Sequence, residues 1–435
     1  MKYLVQFVVM FCLVPAGLRG QSSFEITGEL RSRVEAIDNS DFNSERLDGR
    51  VFVQNRMRLG VERNFARGIG LFVQIQDSRL WGEEGTSLAS IDAIDMHQAY
   101  VNIEHIANSD IVVRIGRQEL HFGSGRLIGR YDWHNVGRAF DAINLEIGRT
   151  DEQQLSVWSA IIRSNTAAHI MRNQTFSGAW FSTKRWPRAT VEAYGLLFFD
   201  GRNYDSLTDL SVPIARSEDG DNHLLFWTFG SRIVLEIGKN MHLEFEGAYQ
   251  IGERGPLDIR AFGYAVDGGY RFSTALSPEM QFGYTFGSGD SDAIDTEIGT
   301  FSSLFADAHT TLGNMDYASW SNTSSFYFGI EFQPTTNFEF GGTLHFIALA
   351  EDNDAFYSAE GYLLGAPNEV LRRAVPGAGT SVGRELDFYG MLHLRERLKI
   401  EAGVSLFMVD EFMKNTGGLR ADDSFRGYLG LQVGF

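Results

Sequence analysis

The 435-residue sequence has a single cysteine, Cys12, and it lies within the first twenty residues. The opening MKYLVQFVVMFCLVPAGLRGQ carries Lys2, an apolar stretch from Tyr3 to Val14, and small residues before a cut after Gly20. That is the pattern of a secretory signal peptide, too short to span a membrane as a helix. The expected mature chain, one domain over 21–435, therefore holds no disulfide, thiol nucleophile or cysteine-based metal site. Long hydrophobic runs are also missing: nothing after the leader reaches about 18 consecutive apolar residues, so transmembrane helices are not expected. Net charge is -18, or -20 without Lys2 and Arg19, and a nucleic-acid partner has no support. The ten histidines fall in no H-E-x-x-H motif and none accompanies G-x-S-x-G. No catalytic residue, metal or cofactor is expected.

Proline is scarce at 8, whereas glycine numbers 47 and phenylalanine 34. Glycine and aromatics with little proline suit long antiparallel strands. Side chains alternate almost throughout. In FEITGELRSRVEA, Phe24, Ile26, Leu30 and Val34 share one face, and Glu25, Glu29, Arg31, Arg33 and Glu35 share the other. In VFVQNRMRLGVE, Val51, Val53, Met57 and Leu59 oppose Gln54, Arg56 and Arg58. A period of two marks strands with one apolar face. Eighteen segments qualify: 22–36, 50–64, 69–81, 95–105, 110–118, 138–149, 152–162, 173–184, 188–200, 223–238, 240–252, 259–274, 278–288, 318–333, 337–349, 384–396, 398–410 and 424–435. Connections such as GKN and QPTTN are short, while those at 119–137, 289–317 and 350–383 are long. Short turns at one end and long loops at the other, with an even strand count, predict an all-β transmembrane antiparallel barrel of the outer-membrane type.

In such a barrel the apolar face meets lipid and the alternate face lines the lumen. Inward arginines are then Arg31, Arg33, Arg56, Arg58, Arg114, Arg232, Arg271, Arg395 and Arg426. Acids dominate the later strands, so the lumen is mixed in charge. Arginine outnumbers lysine 33 to 5, which favours forked grips on carboxylates, whether from the wall or from a solute. The segment GRQELHFGSGRLIGRYDWHNVGRAFDAINL, residues 116–145, concentrates Arg117, Arg126, Arg130 and Arg138 among aromatics and glycines. Its GSGRLIG at 123–129 is not a nucleotide-binding G-x-G-x-x-G. A loop so apolar and so basic is expected to fold inward and narrow the channel, with Asp132 and Asp141 holding its guanidiniums. The loop at 289–317 has six acids and no Lys or Arg, and reads as a solvated acidic lid, bridged by divalent ions to lipopolysaccharide phosphates.

The segment also resembles the signature of the alginate-export family of outer-membrane barrels. The resemblance rests on Gly116, Arg117, Gln118, Glu119, Leu120, Arg126, Leu127, Gly129, Trp133, Asn135, Arg138, Phe140 and Asp141. It implies an eighteen-stranded monomer in the outer membrane of a Gram-negative bacterium. It also implies an arginine-lined constriction passing anionic solute or anionic polysaccharide. Candidate path residues are Arg31, Arg33, Arg56, Arg58, Arg114, Arg117, Arg126, Arg130, Arg138 and Asp141. Expected partners are membrane lipid and lipopolysaccharide, periplasmic export or uptake proteins, and the barrel assembly machinery, engaged through the terminal aromatic Phe435. An uptake porin for small solutes and a structural or adhesive barrel are the alternatives.

Overall fold

The computed structural model describes residues 24–435 except 66–67, 84–93, 107–108, 149–151, 164–172, 202–222, 293, 360–369 and 418–419. Eighteen long antiparallel strands form one closed sheet among these residues. They are β1 Phe24–Asp38, β2 Arg50–Phe65, β3 Ile69–Leu80, β4 Ile94–Glu104, β5 Ile111–Gln118, β6 Phe140–Ile147, β7 Gln153–Arg163, β8 Gln174–Trp186 and β9 Ala189–Asp200. The second half comprises β10 Leu224–Ile237, β11 Met241–Arg254, β12 Leu257–Arg271, β13 Glu279–Gly287, β14 Thr323–Thr335, β15 Phe338–Ala348, β16 Ser381–Arg395, β17 Leu398–Val409 and β18 Ser424–Gly434. Each strand pairs with its neighbours in sequence, and β18 returns to β1 with Glu29 opposite Gly434 and Asp38 opposite Phe425. Closure leaves no unpaired strand edge, which is how a sheet satisfies its backbone in a bilayer. At the seam Gly28 and Phe435 exchange two backbone hydrogen bonds of 2.9 Å.

The sequence periodicity is the structure's periodicity. Phe24, Ile26, Leu30 and Val34 of β1 are exposed, whereas Arg31, Arg33 and Glu35 are buried inside. Exposed aromatics continue round the outside, among them Phe229, Phe262, Phe282, Phe326, Phe346 and Phe388. Long connections stand at one end. The exception is β11 to β12, joined at that end by Gly255 and Pro256 alone. A short helix, α1 Glu411–Gly417, follows β17 and buries Phe412 and Met413.

The long-loop half of the lumen departs from expectation. An aqueous channel lined by polar side chains is predicted there, and the structure instead packs a hydrophobic core. Inward Phe140, Trp158, Phe176, Trp180, Leu196 and Phe198 of β6–β9 meet loop residues Leu127, Ile128, Phe301, Phe305 and Trp320. On these strands both faces are apolar, one toward lipid and one toward a plug.

Candidate functional site

Two loops meet in the middle of the plug, which Phe42, Phe356 and Phe412 of other long connections join. Residues 119–139 leave β5, enter the lumen and return to β6, and residues 288–322 do the same between β13 and β14. They zip together in the middle: Gly129 N donates to Phe305 O, Phe305 N to Leu127 O and Asp307 N to Gly125 O, each at 2.9 Å. A short ladder thus satisfies backbone groups that the apolar core would otherwise leave unpaired. The inward fold predicted for the arginine-rich segment is what the structure shows.

The far half of loop 119–139 lies against β1 and β2, gripped by wall arginines. Arg31 donates to Asp132 O at 2.6 Å and His134 O at 3.1 Å. Arg33 donates to Trp133 O at 3.1 Å, with its guanidinium carbon 3.6 Å from the centre of the Trp133 ring. Arg56 donates to Asp132 O at 3.1 Å and Arg58 to Val136 O at 3.0 Å. The Asp132 carboxylate completes the clamp, its Oδ1 lying 3.0 Å from both Arg56 and Arg58. Burial pushes this carboxyl up, but Arg56, Arg58 and Arg31 outweigh it and hold it down at about 2. Gly137 allows the approach: its φ is +76°, and a Cβ there would meet Arg58 Nη2 at 2.6 Å. The other face of Trp133 stacks on His309 of the second loop at 4.1 Å.

The remaining candidate residues separate. Arg126 crosses to the opposite wall, donating to Asp267 of β12 at 2.7 Å and Thr285 of β13 at 3.0 Å. Arg138 donates to the carbonyls of Gly129, Phe305 and Ala306 and ties the two loops. Neither faces Arg31, Arg33, Arg56 and Arg58 across an open passage. Both are anchors, because inside an apolar plug a guanidinium must find its oxygens nearby. Arg130, by contrast, is exposed. Arg114 bonds Asn102 at 3.0 Å and lines a lumen cavity. Arg117 and Asp141 require correction: they share the parity of the exposed Ile115 and Ile143, so they point outward and pair with each other at 3.3 Å. Asp141 therefore holds no loop arginine. Two other inward arginines are paired, Arg232 with Glu192 and Glu244 of the wall and Arg426 with Asp316 of the second loop.

The acidic loop is also corrected. Only its tip is solvated, with Asp292 and Asp295 exposed, whereas Asp290, Asp307 and Asp316 are buried. The residues between its acids, such as Phe301, Leu304, Phe305 and Leu312, are apolar and drive the loop inward. Among the described residues no group of three or more His, Cys, Asp or Glu is placed to hold a metal ion. Burial pushes Asp290 up to about 6; the Asp292 N–H opposes the shift, and the charges of Asp354, Asp295 and Asp292 add to it. A carboxyl raised in the folded state binds a proton there that the unfolded loop releases. The loop should therefore be held more tightly as pH falls from 7 through 6. Slower backbone hydrogen exchange over 288–300 at pH 5 than at pH 7.5, after correction for intrinsic rate, is the expected result. Asp290→Asn should reduce the difference, leaving what buried Asp307 and Asp354, also pushed up by burial, contribute.

Beside the plug the lumen holds polar cavities. One cavity of about 260 Å³ is lined by Arg114, Glu119, His121, Glu146, Trp180 and Glu192, among others. Another of about 490 Å³, toward the short turns, touches Glu152, Lys184, Glu192 and Arg232. Their lining is mixed in sign.

A strand-built wall, a lumen and an arginine-clamped inward loop are the parts of a channel. A family model described as alginate export matches residues 23–426. The chain belongs to the alginate export family. No curated relative matches its sequence. Among solved structures, OpdO of Pseudomonas aeruginosa aligns with a TM-score of 0.58 at 13% identity, over 95% of this chain and 97% of its own. OccK11 (OpdR) of the same organism gives 0.59 at 11% identity, over 95% of this chain and 96% of its own. OccD3 (OpdP), also from that organism, gives 0.59 at 11%, over 97% and 92%. At these identities the likeness concerns the fold, a closed eighteen-stranded barrel. Family and fold together describe an outer-membrane β-barrel channel of the alginate export family.

Proposed function

We propose that the channel passes anionic solutes, up to carboxylated polysaccharide, through a constriction set by the inward loop, in the outer membrane of a Gram-negative bacterium, and that it catalyses no reaction. The observation that carries this reading is the loop itself. Four wall arginines hold it across the lumen, and Arg130 is left exposed on it. In a narrow passage with low-dielectric walls, one fixed cation raises the local concentration of anions. Contacts of this kind must stay weak for a solute to leave.

Planar bilayers test the reading. The wild-type channel should prefer acetate to sodium, and Arg130→Gln should shift the permeability ratio toward cations by about fivefold, the effect of about 1 kcal/mol from a partly screened charge. Arg384→Gln is the control, because Arg384 shares the outward parity of Phe388 and pairs with Asp410 at 3.6 Å. A wild-type preference for sodium would overturn the proposal. It would favour the second reading, a porin for small solutes of either sign, which the mixed lining of the two cavities supports.

A further inference from the structure

We propose that Asp132 is a tethered stand-in for a solute carboxylate: it occupies the arginine cluster of β1 and β2, and an anionic solute binds there by displacing it. The inference rests on the anionic reading above and adds how the constriction would respond to its own cargo.

The geometry is that of an occupied carboxylate site. One oxygen, Asp132 Oδ1, is shared by Arg56 and Arg58 at 3.0 Å each. Arg56 is fully buried, yet the Asp132 side chain is 41% exposed. The acid is therefore the outermost member of the cluster, standing between the guanidiniums and the lumen. Glu119, which lines the adjoining cavity, lies 3.8 Å from Arg58, so that cavity reaches the clamp. Wall groups keep part of the cluster, with Arg33 on Glu35 and Gln54, Arg56 on Glu29 and Arg58 on Gln76, whereas Arg31 spends its donors on the turn alone, on the carbonyls of Asp132, Trp133 and His134. Lifting the turn would free the Arg31 guanidinium and bare donors of Arg33, Arg56 and Arg58 together. Left-handed residues bound the turn, Tyr131 at φ 48° and Gly137 at φ 76°, and displacing it would also part Trp133 from His309.

Competition here is anion against anion. Asp132 stays ionised at any physiological pH, so acidification is not the trigger. A tethered carboxylate also has the advantage of an effective concentration in the millimolar range. A monomeric uronate displaces it poorly. A chain with several carboxylates offers several competitors at once, so displacement should depend steeply on chain length.

The experiment uses the full mature channel in detergent and in bilayers. It carries no cysteine of its own once Cys12 leaves with the leader, so Val136→Cys, at an exposed position on the turn, accepts an environment-sensitive fluorophore. Trigalacturonate should change the label's emission at a concentration at least tenfold lower than galacturonate, and neutral maltotriose should do nothing. In bilayers, Asp132→Asn should lower the half-blocking concentration of trigalacturonate at least tenfold, and Asp132→Glu should restore the wild-type value. Heat-modifiable migration checks that each variant folds. If the wild-type channel selects anions but Asp132→Asn blocks no more readily and the label is silent, Asp132 is a structural tether and the inference fails alone. If the wild-type channel selects cations and trigalacturonate has no effect, the anionic reading fails and takes this one with it.

Discussion

Replacing residues 121–137 by a short Gly-Ser turn should raise single-channel conductance roughly threefold or more, because an unplugged barrel of this size is an aqueous pore. The loop is not a decoration on the rim. It supplies Leu127 and Ile128 to the buried plug, and through residues 125–129 it supplies the backbone partners of 305–307. Without it Phe305 loses both backbone hydrogen bonds to the loop, and the apolar side of loop 288–322 faces water. That second loop should then come away from the lumen too. The wall should survive, since every strand keeps its two neighbours in the sheet and heat-modifiable migration should persist. Selectivity should fall toward that of bulk water, because Arg130 is gone and the clamp arginines line a wide opening. A deletion that leaves conductance unchanged would place the limiting constriction elsewhere, in the cavities lined by Arg114, Lys184 and Arg232.

Much of the fold is legible in the sequence because a barrel wall is a local pattern. Alternation needs only neighbouring residues, and antiparallel closure needs an even number of strands. Where strand ends differ, as in β12 starting at Leu257 and β14 at Thr323, loops rather than periodicity set the boundary. The inward turn of 119–139 is legible too, from aromatic content no solvated loop would carry. Pairings across the lumen are not legible. That Arg126 reaches Asp267 and Thr285 depends on how far the loop extends across the barrel, and no run of sequence encodes that distance. Trp158, Phe176 and Phe198 carry a signal that sequence reading passed over. An apolar residue on the face that should be polar, repeated across adjacent strands, marks where a loop must dock. Acid count misled for 289–317, since Asp290, Asp307 and Asp316 stand among buried phenylalanines and leucines. For Arg117 and Asp141, parity was available and decides the matter: counting from Ile115 and Ile143 puts both outside.

Arg126→Met should undock the plug, and its effect should be far larger than that of changing Arg117. Arg126 is buried against two acids, Asp267 at 2.7 Å and Glu246 at 3.8 Å, and it also donates to Thr285. Removing the cation leaves two buried carboxylates without it. The nearest wall arginine, Arg232, already serves Glu192 and Glu244. Breaking a buried pair from one side costs about 3–5 kcal/mol. Here that cost falls on docking of the loop, because β12 and β13 remain hydrogen-bonded within the sheet. A docking equilibrium moved by that amount should show as flickering high-conductance openings, and as trypsin cleavage after the exposed Arg130. Arg117→Gln, altering an outward pair that is itself solvent-accessible, should change neither readout. Adding Asp267→Asn to Arg126→Met should restore part of the docking, since it removes one of the stranded charges and the two changes touch the same contact. Quiet, wild-type openings in the Arg126→Met channel would mean that the clamp of Arg31, Arg33, Arg56 and Arg58 alone holds the loop, and that its crossing to β12 and β13 contributes nothing to keeping the lumen narrow.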